Sequence, residues 1–508
     1  MTMTDSNAIG RIPTGIDGFD HIALGGLPAG RSTLVSGTTG SGKTLFAVEF
    51  LSRGITRYNE PGVFVTFEET ATDIRRNSAS LGFPIQLWED EGKWAFVEAS
   101  GSISEDTPAV GAYDFGALVA RIEHAVRQTG ACRVALDSLN AISTRFTDIA
   151  VVRRELFRVA SALKALGVTS VLTAERPEEY DGVTRYGVEP FVLDNVIILR
   201  NVLRQGRRTR TVEIVKFRGA PHRTGEWLFT IDPRDGIVVV PLAFLTPSDH
   251  ASLARVSSGI PGLDEMCGGG FYRDAIVLMT GPPGTGKTLA SLRFTAAGVE
   301  AGERCLLCTF DGTPGQLFRS AAGWGLDLKA MRTSGLLRVM SGYAEVMSPE
   351  DHFLRLRQAI EEFAPGRLVV DTLSALERVA APRTLLDFVI ALGAVLRQNE
   401  ITTLLTGTPA GRVSSANAPL ITSDIAGLSD VWIQLRYVES PAEIRRAIAV
   451  LQARGSAHDH SIRALRIDGS GMHIGEPLSG VPHVSTGPVD PEIARGASES
   501  EETEGPAR

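Results

Sequence analysis

The 508-residue chain is poor in cysteine and in aromatic residues, and it has no excess of positive charge. Four cysteines in so long a chain do not make the disulfide framework that holds small secreted domains together. Lys and Arg total 51 against 59 Asp and Glu, a formal net charge of −8, so no global positive field draws the protein to nucleic acid or to an anionic membrane. The sequence also lacks a signal peptide and a run of about 18 apolar residues. We therefore expect a cytoplasmic protein with neither a nucleic-acid nor a membrane partner.

The one closely spaced cysteine pair does not predict a metal site. Cys305 and Cys308 lie within CLLCTF, an apolar run typical of a buried strand. No second CxxC and no nearby histidine pair completes a zinc ligand set. We expect two buried thiols.

An internal repeat organises the rest of the chain. Residues 11–47 and 255–291 share the frame R-x-x-x-G-x-x-G-x-D followed by GxxxxGKT, and Lys43 aligns with Lys287 at an offset of 244 residues. A period of this length is too long for a solenoid and fits one α/β domain. The chain is therefore predicted to contain two copies of one domain.

Each copy alternates short, unbroken apolar runs with amphipathic helical stretches, such as RSTLVSG followed by TLFAVEFLSRGITR. This alternation is typical of an α/β fold with a mostly parallel sheet that helices cover on both faces. Later hairpin-like stretches, including NVLRQGRRTRTVEIVKFRG, predict an antiparallel extension at one edge. The expected domains are residues 1–247 and 248–474, followed by an acidic, flexible tail at 475–508.

Both copies contain the phosphate-binding motif GxxxxGK[ST] between an apolar run and a helix, which is the context this motif requires. Glycines let the backbone N–H groups turn toward the phosphates, and the lysine is expected to reach the β- and γ-phosphates of ATP. The loop residues expected to contact nucleotide are Gly40, Ser41, Gly42, Lys43, Thr44 and Leu45 in the first copy, and Gly284, Thr285, Gly286, Lys287, Thr288 and Leu289 in the second.

A Mg²⁺ ion is expected beside each nucleotide. Thr44 and Thr288 would supply a hydroxyl to it. The runs CRVALDSL and RLVVDTL each end an apolar strand with an acid, Asp137 and Asp371, and these are the predicted acidic metal-binding residues.

Candidates for activating water follow another apolar run. GVFVTFEE ends in Glu68 and Glu69, and strand alternation would put only one of them toward the γ-phosphate. The equivalent run of the second copy is CLLCTFDG, with Asp311 and Gly312 in these places. The second site is therefore expected to hold ATP while performing its chemistry poorly or differently.

Taken together, the two P-loop domains, the entry motif TGIDGFD…GGLP, the tandem FEE and the run DNVIILR resemble the KaiC family of circadian clock ATPases. So do RVSSGIPGLDEMCGGGF and LRYVESPAEIRRAIAVLQARGSAHD in the second half, and the resemblance runs over about residues 10–475. It implies tandem RecA-like domains, a ring of six subunits with ATP and Mg²⁺ between neighbours, and partners such as a KaiB-like or another signalling protein. It also implies a slow ATPase in the first domain and a Ser/Thr autokinase in the second.

The resemblance also implies roles for particular residues. Glu68 matches the catalytic glutamate of the first domain, and Ser80 matches a nucleotide contact. The run VKFRGAPH matches a segment presented to the neighbour's ATP, where cations would stabilise charge on the phosphoryl oxygens. In this segment, the residues expected to act in trans, that is on the ATP of the neighbouring subunit, are Lys216, Arg218 and His222. By contrast, the basic run Arg204, Arg207, Arg208 and Arg210 is interpreted as a surface hairpin.

The second domain departs from the family pattern. Trp324 matches a residue that flanks adenine, and Arg446 and Arg454 match trans contacts, but Gln452 occupies the position of a lysine. Ala426 and Gly427 occupy the two phosphoacceptor positions, and neither has a hydroxyl. Thr422, Ser423 and Ser429 remain as substitute acceptors.

We expect a KaiC-like ATPase that hydrolyses ATP at its first site. Two alternatives stay open: autokinase activity in the second domain, and an ATP-dependent signalling scaffold with little turnover. A RecA- or DnaB-like DNA motor is disfavoured by the acidic charge balance.

Overall fold

The structure is a computed structural model that describes residues 9–99, 115–140, 148–180, 182–184, 187, 189–204, 207–240, 252–310, 312–408, 421–440 and 443–478. Two compact units divide the chain, one comprising residues 1–247, 347–358 and 383–395, and the other residues 248–346, 359–382 and 396–508. Most of the expected tail lies outside the described residues, and the predicted domain boundaries stay a prediction.

The first half of the chain forms a nine-stranded sheet and a separate two-stranded one. Its described strands are β1 (Arg11–Ile12), β2 (Leu27–Pro28), β3 (Ser32–Gly37), β4 (Gly62–Thr66), β5 (Trp94–Glu98), β6 (Arg133–Asp137), β7 (Thr169–Glu175), β8 (Asn195–Arg204), β9 (Arg207–Phe217), β10 (Glu226–Asp232) and β11 (Gly236–Val239). The order in the large sheet is β11-β10-β9-β8-β3-β7-β6-β4-β5.

Within this sheet, the strands from β8 to β5 are parallel, and β9, β10 and β11 extend it with antiparallel pairing. The predicted mostly parallel sheet and its antiparallel edge are therefore confirmed. The described helices of this half are Phe19–Ile22, Lys43–Tyr58, Ala71–Ala79, Ile85–Asp90, Phe115–Thr129, Ile149–Ala165 and Glu189–Val192.

The second half repeats the plan. Its described strands are β12 (Arg255–Val256), β13 (Phe271–Tyr272), β14 (Ile276–Thr280), β15 (Cys305–Thr309), β16 (Leu337–Ser341), β17 (Arg367–Asp371), β18 (Thr402–Gly407), β19 (Val431–Ser440), β20 (Glu443–Ala453), β21 (Arg463–Asp468) and β22 (Gly471–Pro477). The strand order in its large sheet is β16-β15-β17-β18-β14-β19-β20-β21-β22. Read in reverse, it places equivalent strands in the same order as the first sheet. The described helices are Pro261–Met266, Lys287–Glu300, Pro314–Ala322, Leu328–Thr333, Pro349–Phe363, Leu373–Glu377, Pro382–Gln398 and Ile421–Leu428, with a 3₁₀ turn at Ala344–Val346.

Apolar side chains project from both faces of the first sheet. Along β4, Phe64 joins one buried cluster, whereas its neighbours Val63 and Val65 join another. Because successive strand residues point to opposite faces, an unbroken apolar run fills two cores at once. This explains why the central strands read as continuous apolar segments.

The cysteine prediction is also confirmed. Cys305 and Cys308 lie in β15, both are buried, and neither forms a disulfide. Burial raises the pKa of the Cys305 thiol to about 12. Among the described helices, none is long and apolar enough to cross a membrane.

Candidate active site

The first P-loop connects the central strand β3 to the helix Lys43–Tyr58. Gly40 and Gly42 have φ angles of 75° and 97°, a region that residues with a β-carbon rarely adopt, which explains the glycines of the motif. The Lys43 ammonium donates to the carbonyl oxygen of Thr38 at 2.9 Å, so it lies within the curve of the loop. This is the position from which a P-loop lysine contacts phosphates.

The predicted metal-binding residues of the first copy lie together. The hydroxyl of Thr44 donates to Asp137 Oδ2 at 2.8 Å, and the hydroxyl of Thr173 on β7 donates to Oδ1 of the same carboxylate. One hydroxyl and one carboxylate beside a phosphate site fit Mg²⁺, which keeps several waters and takes the rest of its ligands from phosphates. No cluster of three or more His, Cys, Asp or Glu suited to a metal occurs among the described residues.

The two tandem glutamates lie in a bend after β4, because the strand ends at Thr66. They diverge as expected, although not by strand alternation. Glu68 Oε1 accepts from the hydroxyl of Ser138, the residue after Asp137, at 3.3 Å. Glu69 Oε2 accepts from Asn77 Nδ2 at 3.4 Å on the helix Ala71–Ala79, and burial, followed by repulsion from Asp137, raises its pKa. Glu68 is thus the glutamate whose carboxylate contacts the segment that follows Asp137.

Two further carboxylates contact the first loop. Thr38 donates to Glu179 Oε1 at 2.5 Å, and Thr39 donates to Glu175 Oε1 at 2.6 Å. Burial lowers the pKa of Lys43, and nearby acids oppose this shift, with Glu175 the strongest of them and ahead of Asp137. The lysine of the first loop is therefore set among several negative charges.

The second P-loop repeats the geometry, with fewer charges among the described residues around it. Lys287 donates to the carbonyl oxygens of Gly281 and Pro282, and Thr288 donates to Asp371 Oδ2 at 2.8 Å. Burial lowers the pKa of Lys287, and Asp371 opposes this shift. Gly284 and Gly286 again have positive φ angles, 80° and 111°. Asp311, the counterpart of Glu68, lies outside the described residues.

The cations assigned to a neighbour's site lie at the far end of β9 from the loop. Lys216 donates to the carbonyl oxygens of Pro190 and Leu193 at 3.0 and 2.9 Å. Arg218 forms an ion pair with Asp194 at 3.4 Å. The partners of these two side chains thus lie in residues 190–194 rather than in the chain's own P-loop.

Other predicted contacts surround these features. His222 packs its ring 5.4 Å from that of Phe217, and Ser80 caps the helix Ala71–Ala79 with its hydroxyl bonded to the carbonyl of Asn77. Leu45 packs against the first core, and Leu289 is buried in the second. Trp324 also packs against the second core.

In the second copy the predicted trans residues contact their own chain. Arg446 Nε donates to the carbonyl oxygen of Gly284 at 3.0 Å, in the P-loop itself. Arg454 donates to the carbonyl of Gly427 at 2.5 Å, and Gln452 donates to that of Ser429 at 3.0 Å. Gln452 thereby takes the place that Lys216 has in the first copy.

The substitute phosphoacceptors are only partly described. Ser429 is fully buried, and its hydroxyl donates to the carbonyl of Ala426 at 2.9 Å. Thr422 and Ser423 lie on the helix Ile421–Leu428, but their side chains are outside the described set. A buried hydroxyl that is already bonded is poorly placed to accept a phosphoryl group.

Comparison with known proteins decides the family. The model of the family described as "ATPase: KaiC" matches the chain twice, over residues 12–243 and 256–479. The chain belongs to the KaiC family. Curated KaiC proteins match nearly the whole length: "Circadian clock protein KaiC3" of Synechocystis sp. is 48% identical over 483 residues, which is 95% of both chains. "Circadian clock oscillator protein KaiC" is 46% identical in Thermostichus vulcanus, over 93% of this chain and 90% of that one, and 44% in Synechococcus elongatus, over 95% and 92%.

Two contacts of this KaiC-family ATPase, those of Arg210 and Glu175 with the first P-loop, were not predicted from the sequence. Aligning RGAPH (218–222) with RGSAH (454–458) pairs Arg210 with Arg446, and Arg210 Nε does approach the carbonyl of Gly40 at 3.5 Å. The internal repeat could have identified Arg210 as more than part of a surface hairpin. Glu175 had no comparable signal, since its role depends on the fold bringing it to Thr39, 136 positions away.

Proposed function

We propose that this KaiC-family ATPase hydrolyses ATP at its first P-loop site and uses the second site mainly to bind ATP. The observation that carries the proposal is the position of Glu68. Its carboxylate accepts from Ser138, next to the Thr44–Asp137 pair that would hold the metal. A carboxylate at this place can orient a water for attack on the γ-phosphate and accept its proton.

The remaining residues of the first site have separable roles. Lys43 binds the β- and γ-phosphates of ATP, and its location within the loop supports this role. Thr44 and Asp137 hold Mg²⁺, which when bound neutralises charge on the phosphates. The hydroxyl of Thr173 fixes the orientation of the Asp137 carboxylate.

The second site has the binding parts but a weaker catalytic set. Lys287, Thr288 and Asp371 repeat the P-loop geometry, which supports ATP and Mg²⁺ binding. Gln452 replaces one cation, and Arg454 is bonded to Gly427. Loss of the acceptor hydroxyls at Ala426 and Gly427 argues against the family's autokinase reaction.

We also propose a ring of six subunits in the cytoplasm, in which Lys216, Arg218 and His222 of one subunit complete the first site of its neighbour. The location of the first two cations, bonded to backbone carbonyls and Asp194 and directed away from their own P-loop, supports this arrangement. Positive charge supplied across the interface would stabilise the transferring phosphoryl group. The names of the relatives refer to a circadian clock, which supports a signalling protein as a partner. A KaiB-like protein is the partner that the family resemblance implies.

Replacement of Glu68 tests the proposed function. Glu68→Gln keeps the size of the side chain but removes the base, so ATP turnover by the full-length protein should fall by roughly 100-fold or more while ATP binding persists. Released phosphate and equilibrium nucleotide binding are the two measurements.

Asp311→Asn provides the matched variant at the equivalent position of the second site. Because the second site is proposed to contribute little turnover, phosphate release should change by less than about twofold. This is far smaller than the effect expected from the loss of a catalytic base. If Glu68→Gln turned over ATP at the wild-type rate, or if Asp311→Asn alone removed the turnover, the proposed assignment of the two sites would be wrong.

A further inference from the structure

Glu175 forms a bridge between the first P-loop and the segment that follows Asp137. It is the last residue of β7, which lies between β3 and β6 in the sheet. Its Oε1 accepts from the hydroxyl of Thr39 at 2.6 Å, and its Oε2 accepts from Asn140 Nδ2 at 3.1 Å. The backbone N–H of Glu175 donates in turn to Asn140 Oδ1 at 3.1 Å, so Asn140 is held at both ends of its amide.

The bridge connects two segments that must be aligned for ATP hydrolysis. Thr39 lies in the loop that surrounds the phosphates, and Asn140 lies three residues after Asp137. The γ-phosphate, the metal and the attacking water must be aligned between these two segments. Glu175 therefore links, through hydrogen bonds, the loop expected to hold ATP and the segment beside the expected metal-binding acid.

The second copy keeps the backbone half of this arrangement and lacks the carboxylate. Thr173 and Thr406 bind the two equivalent aspartates, which pairs Glu175 with Thr408. The N–H of Thr408 donates to Ser374 Oγ at 2.7 Å, as the N–H of Glu175 does to Asn140. The loop positions of Thr38 and Thr39 are occupied by Pro282 and Pro283, which have no hydroxyl to donate. The carboxylate bridge is thus a feature of the first site, where hydrolysis is proposed.

We propose that Glu175 is a positioning residue for ATP hydrolysis at the first site, where it holds the P-loop in register with the segment after Asp137 through Thr39 and Asn140. This inference rests on the proposed function of that site. Its negative charge also lies close to Lys43, on whose pKa it acts more strongly than any other acid. A carboxylate so near the phosphates does not favour ATP binding, which is consistent with a role in alignment rather than in affinity.

The test separates kcat from affinity in the full-length protein. Glu175→Ala removes both hydrogen bonds, so kcat should fall by roughly tenfold or more through misalignment, while affinity for a non-hydrolysable ATP analogue should stay the same or increase. Glu175→Gln should retain more than about half of the wild-type kcat, because its amide can bond both Thr39 and Asn140. Adding Thr39→Val to Glu175→Ala should cause little further loss of kcat, because each change breaks the same hydrogen-bonded link between the P-loop and the segment after Asp137.

Glu179 provides the matched comparison. It binds Thr38 and the N–H of Asn201, and therefore connects the loop to β8, on the side away from Asp137. Glu179→Ala should lower kcat by less than about threefold, because it leaves the alignment with Asp137 intact. A wild-type kcat in Glu175→Ala, a kcat in Glu175→Gln as low as in the alanine variant, or an equal loss in Glu179→Ala would each overturn the inference.

Glu68→Gln distinguishes this inference from the proposed function. Wild-type turnover in Glu68→Gln would refute the proposed function, in which Glu68 is the base of the first site. Loss of turnover in Glu68→Gln with full turnover in Glu175→Ala would refute only the positioning role.

Discussion

At the scale of single residues, the two P-loop lysines differ in their electrostatic surroundings although their motifs are the same. Burial lowers the pKa of both, but four carboxylates oppose the shift at Lys43, namely Glu175, Asp137, Glu179 and Glu68. Among the residues that the structure describes, Asp371 is the acid that opposes the shift at Lys287. The motif predicts the lysine and its loop, but it carries no information about acids that the fold brings in from distant strands.

Where a local pattern fixes the chemistry, the structure brings the predicted residues together, although their roles stay predictions. The pairs Thr44–Asp137 and Thr288–Asp371 were expected from the loop and from an acid at the end of a buried strand, and each pair is in hydrogen-bond contact. Glu175 could not be found in this way, because it lies outside every motif. Its contact with Thr39 exists only because β7 lies beside β3.

Glu49 is a buried acid whose titration should affect stability. It lies on the helix Lys43–Tyr58, accepts from the N–H of Ile237 at 2.6 Å, and interacts electrostatically with Arg53 and Asp17. Burial raises its pKa to about 7, so the folded protein binds a proton more tightly than the unfolded chain does. The free energy of unfolding should consequently decrease as the pH rises from about 4.5 to about 7 and show no further contribution from Glu49 above that range.

Chemical denaturation at a series of pH values checks this expectation. Glu49→Gln cannot ionise, so it should lose the part of the pH dependence that falls between about 4.5 and 7. An identical pH dependence in the wild type and in Glu49→Gln would show that Glu49 does not titrate in this range.

At the scale of elements, the strand that ends in the predicted metal-binding acid begins, in each copy, with a buried arginine. Each of these arginines packs against a glycine on the helix that follows the P-loop. Arg367 begins β17, forms an ion pair with Glu303, and donates to the carbonyl of Phe294 at 3.2 Å. A β-carbon on Gly298 would lie 2.5 Å from Cys305 Sγ and 2.6 Å from Arg367 Cδ. The first copy repeats this with Arg133 and Gly54.

Gly298→Ala should therefore destabilise the second unit through overpacking, lowering the free energy of unfolding by about 1–3 kcal/mol. Gly315 on the helix Pro314–Ala322 is the control, because a β-carbon there meets nothing within 4 Å. Gly315→Ala should leave stability unchanged or raise it by up to about 1 kcal/mol. Equal stability of the two variants in chemical denaturation would contradict the packing argument.

Strand and helix prediction succeeded in the parallel core because its strands are uniformly apolar and its helices are amphipathic. The end of β4 was less predictable: FVTFEE continues the strand pattern, but the strand ends at Thr66 and the glutamates lie in a bend. The hydroxyl of Thr66 donates to the carbonyl of Glu69 at 2.5 Å, a local bond that closes this bend. Such side-chain-to-backbone bonds compete with strand extension and leave no clear mark on a hydrophobic pattern.

At the scale of the whole molecule, duplication of one fold has produced two sites that are no longer equivalent. The two nine-stranded sheets have the same order, and both P-loops have the same internal geometry. The differences lie in the surrounding residues: Glu175 against Thr408, Lys216 against Gln452, and Thr39 against Pro283. The repeat could be recognised from the sequence, and so could part of this asymmetry, whereas the carboxylate bridge required the fold.

Hydrolysis at the first site with the help of cations from a neighbouring subunit can be tested by mixing two inactive variants. Lys43→Met removes phosphate binding but keeps Arg218, while Arg218→Ala keeps the P-loop but removes the cation. Each variant alone should release phosphate at a small fraction of the wild-type rate, with a loss of roughly 100-fold or more. Co-assembled in equal amounts, they should recover about a quarter of wild-type turnover, because about half of the intact P-loops then have a neighbour with Arg218. No recovery in rings shown to contain both variants, or full turnover by Arg218→Ala alone, would rule out a site completed by the neighbouring subunit.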